Sequence, residues 1–185
     1  WEAVVGLAPN GISIELQPKN KVWGSSFNMA KWLSTRASIV RGKAIIELGC
    51  GTGLPSLVSA ALGASSVVGT DADRFGVAAL EVAIAHNGLS AKMQACMLDW
   101  RSEQQRAALS SVPIVLAADC NYETKAVTPL LQTVDKLLLE GGTFYLASRE
   151  ERYGLADCLA RCQADPSEDG LGLRLERVVT FTPEG

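Results

Sequence analysis

The feature that most constrains the fold of this chain is a regular alternation of apolar runs with helical patterns from Lys43 onward. Runs such as AIIEL, SVVGT and PIVLAA are apolar at nearly every position, which is typical of parallel strands buried on both faces. The pattern therefore predicts an α/β fold, a mostly parallel sheet with helices on both faces. The predicted strands are Ala44–Leu48, Ser66–Thr70, Lys92–Met97, Pro113–Ala118, Thr143–Ala147 and Leu173–Phe181, and the predicted helices are Pro55–Leu62, Phe75–His86, Ser102–Leu109, Lys125–Leu139 and Tyr153–Gln163.

A different pattern precedes this series. Two β-rich stretches, Ala3–Leu7 and Ile12–Leu16, flank the turn signal Pro9-Asn10-Gly11, so we expect an N-terminal β-hairpin. A helix is predicted from Ser26 to Ser38, because apolar residues recur there at helical spacing. We find no linker or internal repeat in the 185 residues and expect one domain, with the hairpin and helix in 1–40 and the α/β core in 41–185.

Proline and glycine residues mark the expected helix ends. Pro55 is placed for the first turn of a helix, where its missing N–H costs nothing. Gly63 and Asn87-Gly88 are typical left-handed stops, and Gly141-Gly142 are expected to close the long helix after the fourth core strand.

The composition excludes several classes of protein. With 48% hydrophobic residues and a formal net charge of −3, the chain resembles an ordinary globular domain and lacks the clustered Lys and Arg that nucleic-acid binding requires. No apolar run reaches the roughly 18 residues of a membrane span, so we expect no membrane contact. The five cysteines include no C-x-x-C pair, and the chain has a single histidine, His86. We therefore expect reduced thiols, as in proteins of the cytoplasm or nucleus, and not a metal site or disulfides.

The first core strand leads into a glycine-rich segment, Glu47-Leu48-Gly49-Cys50-Gly51-Thr52-Gly53, at the position where open α/β sheets bind ligands. A nicotinamide fingerprint would read G-x-G-x-x-G, but here the third glycine comes one residue early and Leu54 takes its place. The spacing E-x-G-x-G-x-G instead resembles motif I of S-adenosylmethionine methyltransferases, in which Glu47 can face the ammonium of the methionine moiety, directly or through water. The alternative is a tight strand-to-helix turn that binds no ligand.

Carboxylates also follow the second and third core strands. Asp71 can accept hydrogen bonds from both hydroxyls of an adenosine ribose, a role that serves NAD and S-adenosylmethionine alike. Alternatively, Asp71 or Asp73 caps the next helix. Asp99 can accept from an adenine amino group while Trp100 stacks on the base, or Trp100 is simply a half-buried surface residue.

The fourth core strand ends in Ala117-Ala118-Asp119-Cys120-Asn121-Tyr122. The small pair at its end leaves room for a cofactor, and Asp119 and Tyr122 then project from the following turn. The alternative roles are a carboxylate that caps the next helix and a tyrosine that packs at its start.

This D-x-x-Y, together with Val22-Trp23-Gly24-Ser25-Ser26 before the first helix, resembles the seven-β-strand protein-lysine methyltransferases, grouped as methyltransferase family sixteen. The resemblance runs from about Trp23 to Arg149. It implies a Rossmann-like class I methyltransferase fold, S-adenosylmethionine as cofactor and a lysine-bearing protein as substrate; we also expect a monomer. The candidate cofactor-binding residues are Trp23, Glu47, Gly49, Cys50, Gly51, Gly53, Asp71, Asp99, Trp100 and Ala118, and the candidate catalytic residues, at the pocket for the target lysine, are Asp119 and Tyr122.

Two departures from the family pattern and two rival functions stay open. Gly24-Ser25 stand where the family has an acid or proline and small residues. Members end in an antiparallel hairpin, whereas only one further strand is predicted here, Leu173–Phe181, so we expect an incomplete sheet edge. The rivals are a methyltransferase that acts on histidine, arginine or a small molecule, and a non-catalytic S-adenosylmethionine-binding module.

Overall fold

A computed structural model describes residues 3–7, 12–16, 22–165, 167 and 170–173 of the chain, and the elements follow the predicted alternation. The strands are β1 Ala3–Leu7, β2 Ile12–Leu16, β3 Ala44–Leu48, β4 Ser66–Asp71, β5 Met93–Met97, β6 Val112–Ala118 and β7 Leu138–Ala147. The helices are α1 Gly24–Ser34, α2 Leu54–Ala61, α3 Arg74–His86, α4 Glu103–Ala107, α5 Thr124–Leu137 and α6 Leu155–Gln163, with a short 3₁₀ helix at Ala37–Ile39.

The main sheet has five strands in the order β5-β4-β3-β6-β7, and every neighbouring pair in it is parallel. From β3 the chain adds β4 and β5 on one side, and it then crosses over to place β6 and β7 on the other side. The strand order therefore reverses between β3 and β6, where Leu48 pairs with Ala117. Such a reversal opens a crevice at the carboxyl ends of the two strands, which is where ligands bind in open α/β sheets.

Helices cover both faces of this sheet, as predicted. Neighbouring strand residues point to opposite faces, so Ile45 belongs to one core cluster and Ile46 to the other. The cluster around Ile45 includes buried side chains from α1, α2 and α3, and that around Ile46 includes those from α5 and α6. The sheet is thus packed between two layers of helices, and the expected crevice lies at the carboxyl ends of β3 and β6.

The predicted strands and helices within the described residues are confirmed, with boundary shifts of a few residues. The β1 and β2 strands pair antiparallel, as the expected hairpin requires, but its turn, Pro9-Asn10-Gly11, lies outside the described residues. So does the predicted strand Leu173–Phe181, apart from Leu173. The first helix ends at Ser34 rather than Ser38, and the hydroxyl of Ser34 donates to the carbonyl of Lys31 within its last turn.

The expected role of Gly141-Gly142 as a helix stop is wrong. Helix α5 ends at Leu137, because Leu138 is already extended and pairs with Val112. The next pair in the ladder is Ile114 with Thr143, so the chain between Leu138 and Thr143 forms a bulge opposite Pro113. Proline has no N–H to donate to a ladder, which explains the bulge, and Gly141 takes a positive φ of 72° within it.

Within the described ranges, none of the helices combines the length and apolarity that a membrane crossing needs. The same part of the chain contains no group of three or more His, Cys, Asp or Glu side chains that could hold a metal ion.

The packing of α5 against the sheet generates a stability prediction. Leu130 is fully buried in α5, so Leu130→Ala should lower the free energy of unfolding by about 2–5 kcal/mol through lost contacts and a cavity. Leu139, half exposed in the bulge, is the matched control, and Leu139→Ala should change it by less than about 0.5 kcal/mol. Urea unfolding of both variants measures the difference, and equal losses would contradict the assignment of the core.

Candidate active site

The glycine loop between β3 and α2 lies at the carboxyl end of β3, beside the reversal of strand order. Gly49, Gly51 and Gly53 have φ values of 61°, 52° and 69°, a left-handed region that side chains with a Cβ rarely adopt. A Cβ on Gly49 would lie 2.8 Å from Cys120 Sγ, and one on Gly53 would lie 2.5 Å from a methyl carbon of Leu80. A Cβ on Gly51 would meet no atom within 4 Å, so this glycine borders open space. The loop is thus tightly packed at Gly49 and Gly53 and open at Gly51.

Asp71, at the end of β4, holds this loop from the side. Its Oδ2 accepts a hydrogen bond from the Gly51 N–H at 2.8 Å, and its Oδ1 accepts from the Asp73 N–H at 2.9 Å. The N-cap of α3 is Asp73, whose side chain accepts from the Phe75 N–H at 3.1 Å. The capping role therefore belongs to Asp73, and Asp71 stands beside the open space at Gly51 with further lone pairs on its carboxylate.

Glu47 lies deeper than the rest of the motif and is fully buried. Its Oε2 accepts from the N–H of Ser56 at 2.9 Å and from its hydroxyl at 2.5 Å. Its Oε1 is buried and has no hydrogen-bond partner in the described part of the chain. Burial raises the pKa of Glu47 to about 8, although the two bonds from Ser56 act in the opposite direction.

The two residues after β5 take different environments. Asp99 is at the surface, where Arg101 donates to both of its carboxylate oxygens at 2.9 and 2.8 Å and thereby lowers its pKa to about 2. Trp100 is partly buried, and its six-membered ring lies 3.1 Å from the position of a Cβ on Gly49. The indole therefore lies against the glycine loop.

Asp119 directly follows β6, and hydrogen bonds hold both its backbone and its side chain. It is the non-glycine residue with a positive φ, 62°, among the described residues, and its N–H donates to the Ala147 carbonyl at 2.8 Å. Its carboxylate is 7% exposed and is paired with Arg152, whose Nε donates to Oδ1 at 2.7 Å and whose Nη2 donates to Oδ2 at 2.5 Å. A bidentate pair of this kind fixes the orientation of a carboxylate. The carboxylate of Asp119 is therefore bound by the side chain of Arg152 and not by the N–H groups of a helix terminus.

The remaining candidates lie around this turn and at the start of α1. Tyr122 is half exposed, whereas Ala118 is buried at the end of β6. Trp23 occupies the N-cap position of α1 and is also half exposed, and its carbonyl accepts from the Phe27 N–H at 3.0 Å. Cys50 and Cys120 are buried thiols of the glycine loop and of the β6 turn, and Cys120 Sγ lies 3.0 Å from the Leu48 carbonyl.

The structure also adds residues that sequence reasoning missed. Arg152 comes from the segment between β7 and α6, 33 positions from its partner, and no local pattern links them. Asn121 is fully buried within the D-x-x-Y turn, and neither of its amide atoms has a hydrogen-bond partner in the described part of the chain. Ser56 could have been suspected, because it lies just inside the helix that follows a buried glutamate.

Comparison with known proteins identifies relatives of this chain. The sequence model of a family described as lysine methyltransferase matches residues 15–161. The chain is 31% identical over 138 residues to protein N-lysine methyltransferase METTL21A of Danio rerio, and the matched region covers 71% of the chain and 61% of that protein. It is 29% identical over 141 residues to protein-lysine N-methyltransferase EFM3 of Chaetomium thermophilum, and the matched region covers 70% of the chain and 42% of that protein. The chain thus spans about half the length of these relatives.

Solved structures agree on the fold. TrmN from Thermus thermophilus superposes with a TM-score of 0.59 at 22% identity, over 73% of this chain and 42% of that one. A TehB-like SAM-dependent methyltransferase from Corynebacterium glutamicum superposes with a TM-score of 0.56 at 17% identity, over 77% of this chain and 71% of that one. These likenesses confirm the Rossmann-like class I methyltransferase architecture.

The burial of Glu47 generates a pH prediction. Its pKa is about 8 in the folded chain and about 4.5 in the unfolded chain, so between these values the folded state keeps a proton that the unfolded state has lost. The free energy of unfolding should therefore fall as pH rises from about 4.5 to about 8, by at most about 1.4 kcal/mol per pH unit from this group. Glu47→Gln removes the titration and should flatten the profile relative to wild type. Urea unfolding across this range measures both, and parallel profiles would contradict the prediction.

Proposed function

This chain belongs to the lysine methyltransferase family, and on that premise we propose that it transfers a methyl group from S-adenosylmethionine to a lysine side chain of a protein. The observation that carries the proposal is the pairing of β3 with β6, in which Leu48 lies beside Ala117. It brings the glycine loop and the Asp119–Tyr122 turn to one crevice, so a donor at the first lies next to an acceptor at the second.

The residues of the crevice fit S-adenosylmethionine. The open space beside Gly51 adjoins the Asp71 carboxylate, which retains lone pairs for the hydroxyls of a ribose. Trp100 and Asp99 would lie towards the adenine, and Ala118 and Trp23 would complete the walls. Glu47 Oε1 is buried and lacks a hydrogen-bond partner in the described part of the chain; a ligand ammonium nearby would favour the ionised carboxylate and supply that partner, directly or through water.

Parallel strands lie about 4.8 Å apart, so the ends of β4 and β6, two strands apart in the sheet, are about 10 Å from each other. Asp71 and Asp119 can therefore serve opposite ends of one nucleoside-sized ligand. S-adenosylmethionine held there would supply a methyl carbon on a positively charged sulfur, and that sulfur would keep the C–S electron pair as the amine lone pair forms the new C–N bond.

The chain's own contribution is to orient the amine and to exclude water from it. Asp119 is buried and rigidly held, so its carboxylate can accept an N–H hydrogen bond from the amine at a fixed position. Tyr122, half exposed at the next turn of the chain, would form the wall through which the lysine stem enters. Neither role needs a strong base, because removal from water already favours the neutral amine.

We further propose that the protein works as a monomer in the cytoplasm, with the nucleus as the alternative. All five cysteines are free thiols, and four of them are buried, as expected of a protein from a reducing compartment.

The cofactor assignment predicts that the protein binds S-adenosylhomocysteine and not NAD. Asp71→Ala should weaken S-adenosylhomocysteine binding by about 1.5–3 kcal/mol, because hydrogen bonds to a charged group are lost. Asp73→Ala is the matched control: it removes the cap of α3, so it should lower stability by about 1 kcal/mol and leave affinity unchanged. Isothermal calorimetry with both ligands measures these values. NAD binding without any response to S-adenosylhomocysteine would overturn the assignment.

The catalytic assignment predicts that Asp119→Asn lowers turnover by about a hundredfold or more while S-adenosylhomocysteine affinity stays near that of wild type. Asn tolerates the left-handed backbone conformation, so the variant tests the charge rather than the turn. Tyr122→Phe should be milder, with a loss of about tenfold or less, because it retains the aromatic wall.

The activity itself is tested by incubating the protein with tritiated methyl donor and a total protein lysate. Label recovered as methyllysine after hydrolysis supports the proposal, and label in methylhistidine, methylarginine or a small molecule supports the corresponding rival. If no label transfers although S-adenosylhomocysteine binds, the protein is a non-catalytic binding module. Thermal unfolding of the same preparations shows whether Asp119→Asn loses activity or only stability.

A further inference from the structure

The pair of Asp119 and Arg152 gives the crevice a charge balance that the proposed function does not by itself require. Both carboxylate oxygens are engaged by one guanidinium, and only 7% of the Asp119 side chain and 25% of the Arg152 side chain are exposed. The bonds to Asp119 raise the pKa of Arg152, which therefore stays charged throughout the accessible pH range. The pair as a whole carries no net charge.

The backbone fixes both partners before any substrate arrives. Asp119 is tied to the end of β7 through its N–H, and Arg152 lies in a turn in which its own N–H donates to the Arg149 carbonyl at 3.2 Å. The Arg152 carbonyl in turn accepts from the Leu155 N–H at 3.0 Å, at the start of α6. The guanidinium is thus a built part of the site rather than a free surface side chain.

The other charged or titratable groups near this turn are mostly neutralised locally. Glu151 pairs with Arg149 at 3.4 Å, and Glu123 pairs with Lys125 at 2.8 Å. Burial raises the pKa of the Cys120 thiol well above its usual range, and burial likewise favours the neutral form of Glu47. The titratable residues of the elements around this turn are Glu47 in β3, Asp71 in β4, Cys120, Tyr122, Glu123 and Lys125 in the β6–α5 turn and the start of α5, and Arg149, Glu150, Glu151 and Arg152 between β7 and α6.

Without Arg152, Asp119 would be a buried carboxylate that lacks a counter-ion. An incoming lysine would then supply one as its ammonium, because an unpaired buried charge is costly. An ammonium has no lone pair with which to attack a methyl carbon, and a close carboxylate raises its pKa. With Arg152 in place, the oxygens of Asp119 keep lone pairs for an N–H, but the turn offers no unbalanced negative charge.

We infer that Arg152 is a positioning residue that neutralises Asp119, so that the turn accepts the target lysine as the neutral amine and rejects the ammonium. The inference rests on the proposed function, since it places the lysine at Asp119. Under this inference Arg152 selects between the protonation states of the target lysine, in addition to linking the end of β6 to the segment before α6.

Two small probes of the lysine side chain test the inference without knowledge of the protein substrate. n-Butylamine can bind as amine or ammonium, whereas n-butyltrimethylammonium is always a cation. Each is titrated into the protein saturated with S-adenosylhomocysteine, and binding is followed by NMR at the amides of Ala118 to Tyr122. Wild type should bind n-butylamine about tenfold more tightly for each pH unit between about pH 7 and pH 9, since the neutral fraction grows by that factor, and should not bind the cation measurably.

Arg152→Gln should reverse this selectivity. We expect it to bind n-butyltrimethylammonium at least about tenfold more tightly than wild type does, and to bind n-butylamine with little dependence on pH in the same range. Arg152→Lys retains the positive charge and should keep the wild-type preference. Arg149→Gln, in the same segment but paired with Glu151 at the surface, is the matched control and should behave as wild type.

The outcomes separate the inference from the proposed function. If wild type binds the cation as well as the amine, or if Arg152→Gln keeps the wild-type pH dependence, the inference is wrong even when methyllysine forms in the lysate assay. If wild type transfers no label at all, the proposed function and this inference fail together. Should Arg152→Gln not fold, the pH dependence of n-butylamine binding to wild type still decides the matter, because a flat profile contradicts the inference.

Discussion

The arrangement of the whole site depends on one constraint, the reversal of strand order between β3 and β6. Because these strands pair directly, the turns that follow them must share the same small volume, and Cys120 Sγ lies 3.0 Å from the Leu48 carbonyl. This crowding explains why Gly49 cannot carry a Cβ. Asp119, in the turn after β6, adopts a left-handed conformation that costs roughly 1–3 kcal/mol. Local strain at the turns is sustained by the rigid layers on either side of the sheet.

Much of the fold could be predicted because burial on both faces leaves a direct imprint on the strands. The β3 strand was bounded to the residue by its apolar run, and the left-handed stops at Gly63 and Gly88 were recognisable from glycine alone. The failure at Gly141-Gly142 has a specific reason: the glycines serve a bulge opposite Pro113, and which residue faces a glycine across a sheet cannot be read from the neighbouring sequence.

The candidate site, like the fold, has parts that could be predicted from the sequence and parts that could not. The glycine loop, Asp71 and the Asp119–Tyr122 turn follow from their places at strand ends, since parallel strands bring their carboxyl ends to one edge. The assignment of Arg152 required the structure, because its contact with Asp119 joins turns 33 residues apart. The depth of Glu47 was also not predictable: the apolar run shows that its strand is buried, but not that Ser56 holds its carboxyl beneath the loop.

The thiols in and next to the glycine loop bear on the chemical durability of the proposed site. Cys50 and Cys120 lie beside a loop proposed to hold a strongly alkylating donor, and a thiolate there would be a competing nucleophile. Burial raises the pKa of both thiols well above the ordinary value, so they remain protonated at neutral pH. A site so constructed can carry sulfur close to a reactive methyl group without alkylating itself.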